Sequence, residues 1–282
     1  MAMTPAATAT KWSDLGVRTL SAAVLIPAVI VDVWVGGIWF NLFVALLAIL
    51  MAHEWTVLTH RGDPAQFALH AASAMSGALL PLQAGMPDAI IAIVVLWSLS
   101  AVIARFQNPE SAKWAYLGVP YVGIPAVALV VLRNDPQYGT EAIIWVLVTV
   151  WAADTLAYFS GRTIGGPKLA PVLSPKKTWA GLGGAIAGSA IASAVFAWVT
   201  GLNAIWVLAA IAGGLAIVEQ GGDLFKSALK RHYGVKDSGR LIPGHGGVID
   251  RVDGLVAVAV AAAVIGLARG GIQATGAGLI VW

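Results

Sequence analysis

The sequence predicts an all-α, polytopic integral membrane protein of about nine transmembrane helices, with its N-terminus in the cytoplasm. Three observations carry that prediction. Hydrophobic residues fill 59% of the 282 positions and charged residues only 11%. Soluble domains are about 25% charged, so there is too little polar surface here to cover a water-soluble globule. The apolar residues also gather in long runs, and Lys and Arg crowd every second connecting segment.

Crossing a bilayer core takes roughly 20 mainly apolar residues. Such spans are predicted at 16–36, 38–58, 67–84, 88–106, 115–132, 142–160, 180–199, 203–221 and 254–269. The first follows a polar start holding Lys11 and Arg18. Its apolar run is long and no small-x-small cleavage pattern follows, so it reads as a retained helix rather than a signal peptide. The last is the weakest, because Arg269 cuts its apolar run short. With the N-terminus inside, 15 of the 17 Lys and Arg fall on cytoplasmic segments, leaving only Arg133 and Arg269 outside. That is the bias of the positive-inside rule. The nine spans divide into residues 1–140, an N-terminal set of about five, and residues 141–282, a C-terminal catalytic region. The latter carries two long cytoplasmic loops, 161–179 and 222–253.

Twelve Trp and 32 Gly suit the same class, since Trp gathers at bilayer interfaces and Gly is common in spanning helices. Ala and Gly are dense in 180–216 and 254–278, which predicts close helix packing. There is no Cys, which excludes disulfides, thiolate nucleophiles and Cys-ligated metals. Nucleic acid is not among the expected partners.

The chemistry is concentrated in residues 221–254, GGDLFKSALKRHYGVKDSGRLIPGHGGVIDRVDG. Asp223 and Asp250 bracket this stretch. Lys226, Lys230, Arg231, Lys236, Arg240 and Arg251 lie between and beside them, and His245 sits in Pro243-Gly244-His245-Gly246-Gly247. These types suit phosphate handling. Carboxylates hold a hard divalent cation such as Mg²⁺, which keeps several waters and bridges to substrate phosphates. Lys and Arg neutralise the remaining phosphate charge, and glycines admit backbone N–H groups close to phosphate oxygens. If the eighth span continues as a helix past Asp223, then Asp223, Lys226 and Lys230 share one face at spacings of three and four. Asp250 and Asp253, three apart, open the last span. The plainer reading of each part is that basic loops set topology or touch anionic lipid and that glycines punctuate a loop. The combination is what points to a site.

A second stretch is WAADTLAYFSGRTIGGPKLAPVLSPKKTWAGLGG at 151–184. Asp154 lies inside the sixth span, where a carboxylate is costly and marks either a site, a helix–helix hydrogen bond or a pairing with a nearby Arg. Ser174, Lys176, Lys177 and Thr178 precede the seventh span. The two hydroxyls are candidate helix caps, and a helix start flanked by lysines is an anion site. Glu219 lies one turn from Asp223 and belongs near the same pocket. His53 and Glu54, at the inner end of the second span, read as structural or interfacial.

Ser227-Ala-Leu-Lys230-Arg231, then Lys236-Asp237, Pro243-Gly-His245-Gly246-Gly247 and Asp250-Arg251-Val-Asp253 together resemble the signature of the phosphatidate cytidylyltransferases, also called CDP-diacylglycerol synthases. The match runs across residues 227–253. Asp154-Thr-x-Ala-Tyr and Ser174-Pro-Lys-Lys-Thr-Trp are similar to upstream segments of that family. The chain departs from it at Lys226, where the family often has Glu, and at Ala180, where it often has Glu or Gln.

The resemblance implies an all-helical membrane enzyme, a divalent-metal-dependent nucleotidyltransferase of phospholipid biosynthesis. It converts CTP and phosphatidic acid to CDP-diacylglycerol and pyrophosphate, and similar proteins form homodimers. It also implies that Asp223 and Asp250 hold Mg²⁺ or another divalent cation. Lys230, Arg231, Lys236, His245 and Arg251 then join them as catalytic candidates. Asp154, Ser174, Lys176, Lys177, Thr178, Ser227, Asp237, Gly246, Gly247 and Asp253 are the substrate-binding candidates. The expected setting is a bacterial inner membrane, multi-pass, with the site at the cytoplasmic face. Competing readings are a CTP-using polyprenol kinase of related architecture and an anion transporter. A CDP-alcohol phosphotransferase lacks support, since its Asp-x-x-Asp-Gly-x-x-Ala-Arg pattern is absent.

Overall fold

The computed structural model of the chain describes residue 23 and residues 26–107, 109, 112–239 and 246–282. Among them lie ten helices, in the order α1 (Ile26–Val35), α2 (Gly37–His60), α3 (Pro64–Gln83), α4 (Met86–Gln107), α5 (Ala112–Arg133), α6 (Gly139–Thr163), α7 (Trp179–Thr200), α8 (Ile205–His232), α9 (Ile249–Gly270) and α10 (Thr275–Ile280). Between α6 and α7 stands one antiparallel hairpin of β1 (Lys168–Ala170) and β2 (Ser174–Thr178), with Lys168 opposite Thr178 and Ala170 opposite Ser174.

Seven of these helices, α2 and α4–α9, are long and apolar enough to cross a membrane. The chain is therefore an all-α multi-pass membrane protein. Each predicted span overlaps a helix, and residues 16–22, 24 and 25 of the first span lie outside the described residues. α3 has the length, at 20 residues, but carries Gln66, His70, Ser73 and Pro81 along it. α9 begins at Ile249 and runs 22 residues, longer than its apolar run, because Asp250, Arg251 and Asp253 are helical too. α10 was not foreseen. It folds back on α9, where Arg269 donates to Gly278 O at 2.6 Å and lies over the Trp282 ring.

The helices pack through small residues, as membrane helices do where backbones must approach closely. α6 lies along α7, α7 along α8 and α8 along α9, while α5 joins the first half to α9. At the α8–α9 crossing, a Cβ on Gly222 would lie 2.8 Å from Asp253 O, and one on Gly254 would lie 2.8 Å from Glu219. Only glycine lets these two helices meet there, and the meeting brings Glu219 and Asp223 against the start of α9.

Cross-chain contacts sort the connecting segments onto two ends. At one end, Glu54 meets Val248 and Ile249, Trp55 meets Trp114, and Lys177 meets Asp223. At the other, Arg133 donates to Val33 O at 2.6 Å, and Ala277 N donates to Asp135 at 2.8 Å.

Candidate functional site

α8 carries on as helix past Asp223 to His232, so Asp223, Lys226 and Lys230 do share one face. That face meets the first turn of α9, and an ionic cluster forms between them. Lys226 Nζ lies 2.8 Å from Asp223 Oδ1 and 4.0 Å from Asp250 Oδ1, and it pairs with Asp253 Oδ2. Lys230 Nζ pairs with Asp250 Oδ1 at 2.6 Å, and Lys177 Nζ reaches Asp223 Oδ2 at 2.5 Å. The cluster is largely shielded. The Lys226 and Asp253 side chains are 10% and 11% exposed and that of Asp250 is 8% exposed. Charges so placed hold together only as a set, because desolvating any one of them alone is costly.

Lys177 arrives from the hairpin. β2 hands directly into α7, whose N-cap is Thr178; its hydroxyl accepts from Gly181 N at 3.0 Å. The capping reading of Thr178 holds. Fixed between the strand and the cap, Lys177 also donates to Gln220 Oε1 at 2.6 Å, and Gln220 donates to Glu219 at 2.6 Å. Gln220 was missed in the sequence; an amide in an apolar span was the available signal.

A cavity of about 520 Å³ opens beside the cluster, lined by Asp154, Tyr158, Arg162, Lys168, Lys176, Lys177, Thr178, Gln220 and Asp223 among others. Its size falls within the ordinary range for small-molecule sites. Four basic side chains from α6 and the hairpin look into it. Arg162 is steadied by a 2.6 Å bond to the Tyr158 hydroxyl. Asp154, on α6, is exposed and lines this cavity.

On the far side of α8 lies a second cavity of about 490 Å³. It is walled by Pro120, Tyr121, Ile124, Phe225, Val256 and Val260, with Asp253 at its edge. Its wall is almost wholly apolar. Tyr121 and Phe225 stack with Trp55, at ring separations of 4.9 Å and 6.4 Å. Thus Asp223 borders a cavity lined with basic side chains, Asp253 borders an apolar one, and Lys226 pairs with both aspartates.

The remaining candidates are more dispersed. Ser227 sits on α8, half-buried, while Arg231, Lys236, Asp237 and Arg251 are exposed around the cluster. Ser174 opens β2. Gly246 has a left-handed backbone, φ +82°, and Gly247 is buried against Ser238 and Glu54. His245 and Arg240 lie outside the described residues. Burial pushes the Tyr233 phenol, just past α8, up to about 12. It therefore remains a neutral donor, pointing at Thr59 O at 3.4 Å.

Asp223 and Asp250 both present an oxygen to one ammonium, that of Lys226. Two such hard oxygen donors suit Mg²⁺, which takes the rest of its shell from water and phosphate. Among the described residues no set of three or more His, Asp or Glu side chains forms a complete protein-built metal cage.

The model of the cytidylyltransferase family matches residues 16–268 of the chain. The phosphatidate cytidylyltransferase of Brucella abortus is 40% identical over 249 residues, covering 88% of this chain and 91% of the relative. The phosphatidate cytidylyltransferase of Staphylococcus haemolyticus is 33% identical, covering 86% of this chain and 95% of the relative. That of Bacillus subtilis is 36% identical over 174 residues, 61% of this chain and 65% of the relative.

Proposed function

The chain belongs to the phosphatidate cytidylyltransferase family, and from that premise we propose that it joins CTP to phosphatidic acid, yielding CDP-diacylglycerol and pyrophosphate, at the cluster between α8 and α9. The observation that carries this reading is the pair of cavities of opposite character meeting at Asp223, Lys226 and Asp253. CTP is a polyanion from water, and phosphatidic acid cannot leave the bilayer cheaply, at about 0.8 kcal/mol for each buried CH₂. A reaction between them needs a basic polar chamber beside an apolar one.

In the step, a phosphate oxygen of phosphatidic acid forms a bond to the α-phosphorus of CTP. The bond from that phosphorus to the bridging oxygen breaks, and its electron pair leaves on pyrophosphate. The nucleophile is already an anion near neutral pH, so positioning and charge neutralisation dominate. Lys168, Lys176, Lys177 and Arg162 hold the triphosphate in the polar cavity. Lys226 and Lys230 lie where the two phosphates meet, while Arg231, Lys236, His245 and Arg251 share the charge around them. Asp154 and Gln220 line the polar cavity and orient the nucleotide. The apolar cavity takes the start of the acyl chains. When bound, a divalent cation held by Asp223 and Asp250 supplies neutralisation at the α-phosphate and at the departing pyrophosphate.

The full arrangement we propose is nine spans with the N-terminus inside, the site at the cytoplasmic face of a bacterial inner membrane, and a homodimer as the working form. The bias of Lys and Arg to one end supports the orientation.

The test uses purified protein in detergent with phosphatidic acid, Mg²⁺ and CTP labelled in the cytidine ring. Label should enter the lipid phase with wild type and fall to background with folded Asp223→Asn and Asp250→Asn. No incorporation by folded wild type would sink the reading and favour terminal-phosphate transfer. Activity surviving in either variant would remove that aspartate from the metal site.

A further inference from the structure

We infer that Glu54, carried on α2, is a positioning residue of this site, whose carboxylate builds the start of α9 and, through Ser238, sets the orientation of Asp250. The inference rests on the proposed role of Asp250.

Glu54 is only 2% exposed. A carboxylate buried in a membrane-spanning helix demands compensation. The donors described around it are Ser238, Val248 and Ile249, all distant in sequence. Val248 N donates to Oε1 at 2.8 Å, Ile249 N donates to Oε2 at 2.9 Å, and Ser238 Oγ lies 3.2 Å from Oε2. The first N–H groups of a helix have no partner within it. The N-cap of α9 is Val248, which makes no side-chain cap. Glu54 serves as the missing cap from 194 residues upstream, at the helix end where negative charge is favoured. Charge-assisted bonds of this kind are about twice as strong as neutral ones.

The glycines nearby are explained by the same contact. A Cβ on Gly239 would lie 2.4 Å from Glu54 Oε1. One on Gly247 would lie 2.5 Å from Glu54 Oε2 and 2.3 Å from Ser238 Oγ. Neither position tolerates a side chain while Glu54 stays where it is.

The link to Asp250 is short. Ser238 N and Ser238 Oγ both reach Asp250 Oδ2, at 2.9 Å and 3.0 Å. A single hydroxyl proton therefore sits within reach of both the Glu54 and the Asp250 carboxylates. With Oδ2 pinned, Oδ1 is the oxygen turned towards Lys230 and Lys226. Glu54 lines neither cavity, so its effect passes through Ser238 and the α9 backbone rather than through substrate.

The experiment compares wild type, Glu54→Gln, Ser238→Ala and Asn41→Leu. Asn41 is buried on the same helix and donates to Ala78 O at 2.7 Å, so its loss destabilises α2 without touching the loop. Cytidylyl transfer per folded molecule and Mn²⁺ binding by electron paramagnetic resonance are both read. Glu54→Gln should lower kcat by about 10- to 100-fold, the usual reach of residues that orient a ligand. It should also weaken Mn²⁺ binding and raise the Mg²⁺ concentration for half-maximal activity, with the KM for CTP at saturating Mg²⁺ unchanged. Ser238→Ala should move the same quantities in the same direction, and it carries the test if Glu54→Gln does not fold. Asn41→Leu should lower the melting temperature alone. Wild-type kcat and metal midpoints in folded Glu54→Gln or Ser238→Ala would overturn the inference, as would an equal metal shift in Asn41→Leu. If wild type transferred no cytidylyl group, the proposed function would fall, and the Mn²⁺ comparison would still decide the place of Glu54.

Discussion

Lys226 is the residue on which the cluster turns. Its ammonium pairs with Asp223 and Asp253 and lies 4.0 Å from Asp250. It thus occupies the point where the carboxylates converge. Removing one partner of a buried ionic set leaves uncompensated charge and costs about 3–5 kcal/mol. Lys226→Met should therefore melt well below wild type in the absence of divalent cation. A small divalent cation can supply the lost positive charge, so added Mg²⁺ should raise the melting temperature of Lys226→Met by much more than that of wild type. Thermal unfolding in detergent with and without Mg²⁺ measures this, independently of any assay of turnover. An equal response in the two proteins would mean that the cation does not offset the charge Lys226 supplies. Local spacing made this face legible in advance, since Asp223, Lys226 and Lys230 recur at three and four along one helix. The partners contributed by other elements were not legible. Nothing near Glu54 in the sequence tells whether a lone acid at the end of a span caps a distant helix or rests at an interface, and nothing marks Tyr121 as the wall of a cavity.

The hairpin and the helix it feeds act as one element. Residues 161–179 read as a Gly, Pro and Lys-rich loop, and a strand was not apparent, because Ser-Pro-Lys-Lys-Thr has little of the β-branched and aromatic content typical of strands. What makes it a strand is the pairing of Lys168 with Thr178 and Ala170 with Ser174, together with the handover of Thr178 into the cap of α7. The cap therefore fixes the stub of Lys177 as well as the end of the helix. Thr178→Ala should cost about 1 kcal/mol of stability, the usual value for a lost hydroxyl cap. It should also raise the KM for CTP more than it lowers kcat, because Lys177 would lose its fixed approach to Gln220 and Asp223 while the α8–α9 cluster keeps its own bonds. Thr178→Ser retains the oxygen and should restore both quantities. A Thr178→Ala enzyme with the wild-type KM would separate the cap from the nucleotide cavity.

Across the whole molecule, the sorting of connecting segments onto two ends is what makes a membrane orientation testable. The end that holds the cluster also holds the hairpin and the Glu54 contact. The opposite end holds the α1–α2 turn, the α7–α8 turn and the Arg133–Val33 bond. Trp34, Trp39, Trp198 and Trp206 stand exposed at that opposite end, as interfacial Trp do. The basic residues crowd the cluster end, which predicts that this end faces the cytoplasm. The absence of native Cys allows single thiols to be introduced without background. Val172, 86% exposed at the hairpin turn, and Asn203, exposed between α7 and α8, mark the two ends. In right-side-out vesicles a membrane-impermeant maleimide should label Asn203→Cys and spare Val172→Cys, and in inverted vesicles the pattern should reverse. Labelling of both from one side would break the two-ended arrangement of the fold. A clean pattern of the opposite sense would keep the fold and turn the molecule over. The cluster would then face away from the cytosolic nucleotide, and the proposed reaction could not be supplied with CTP where the structure would need it.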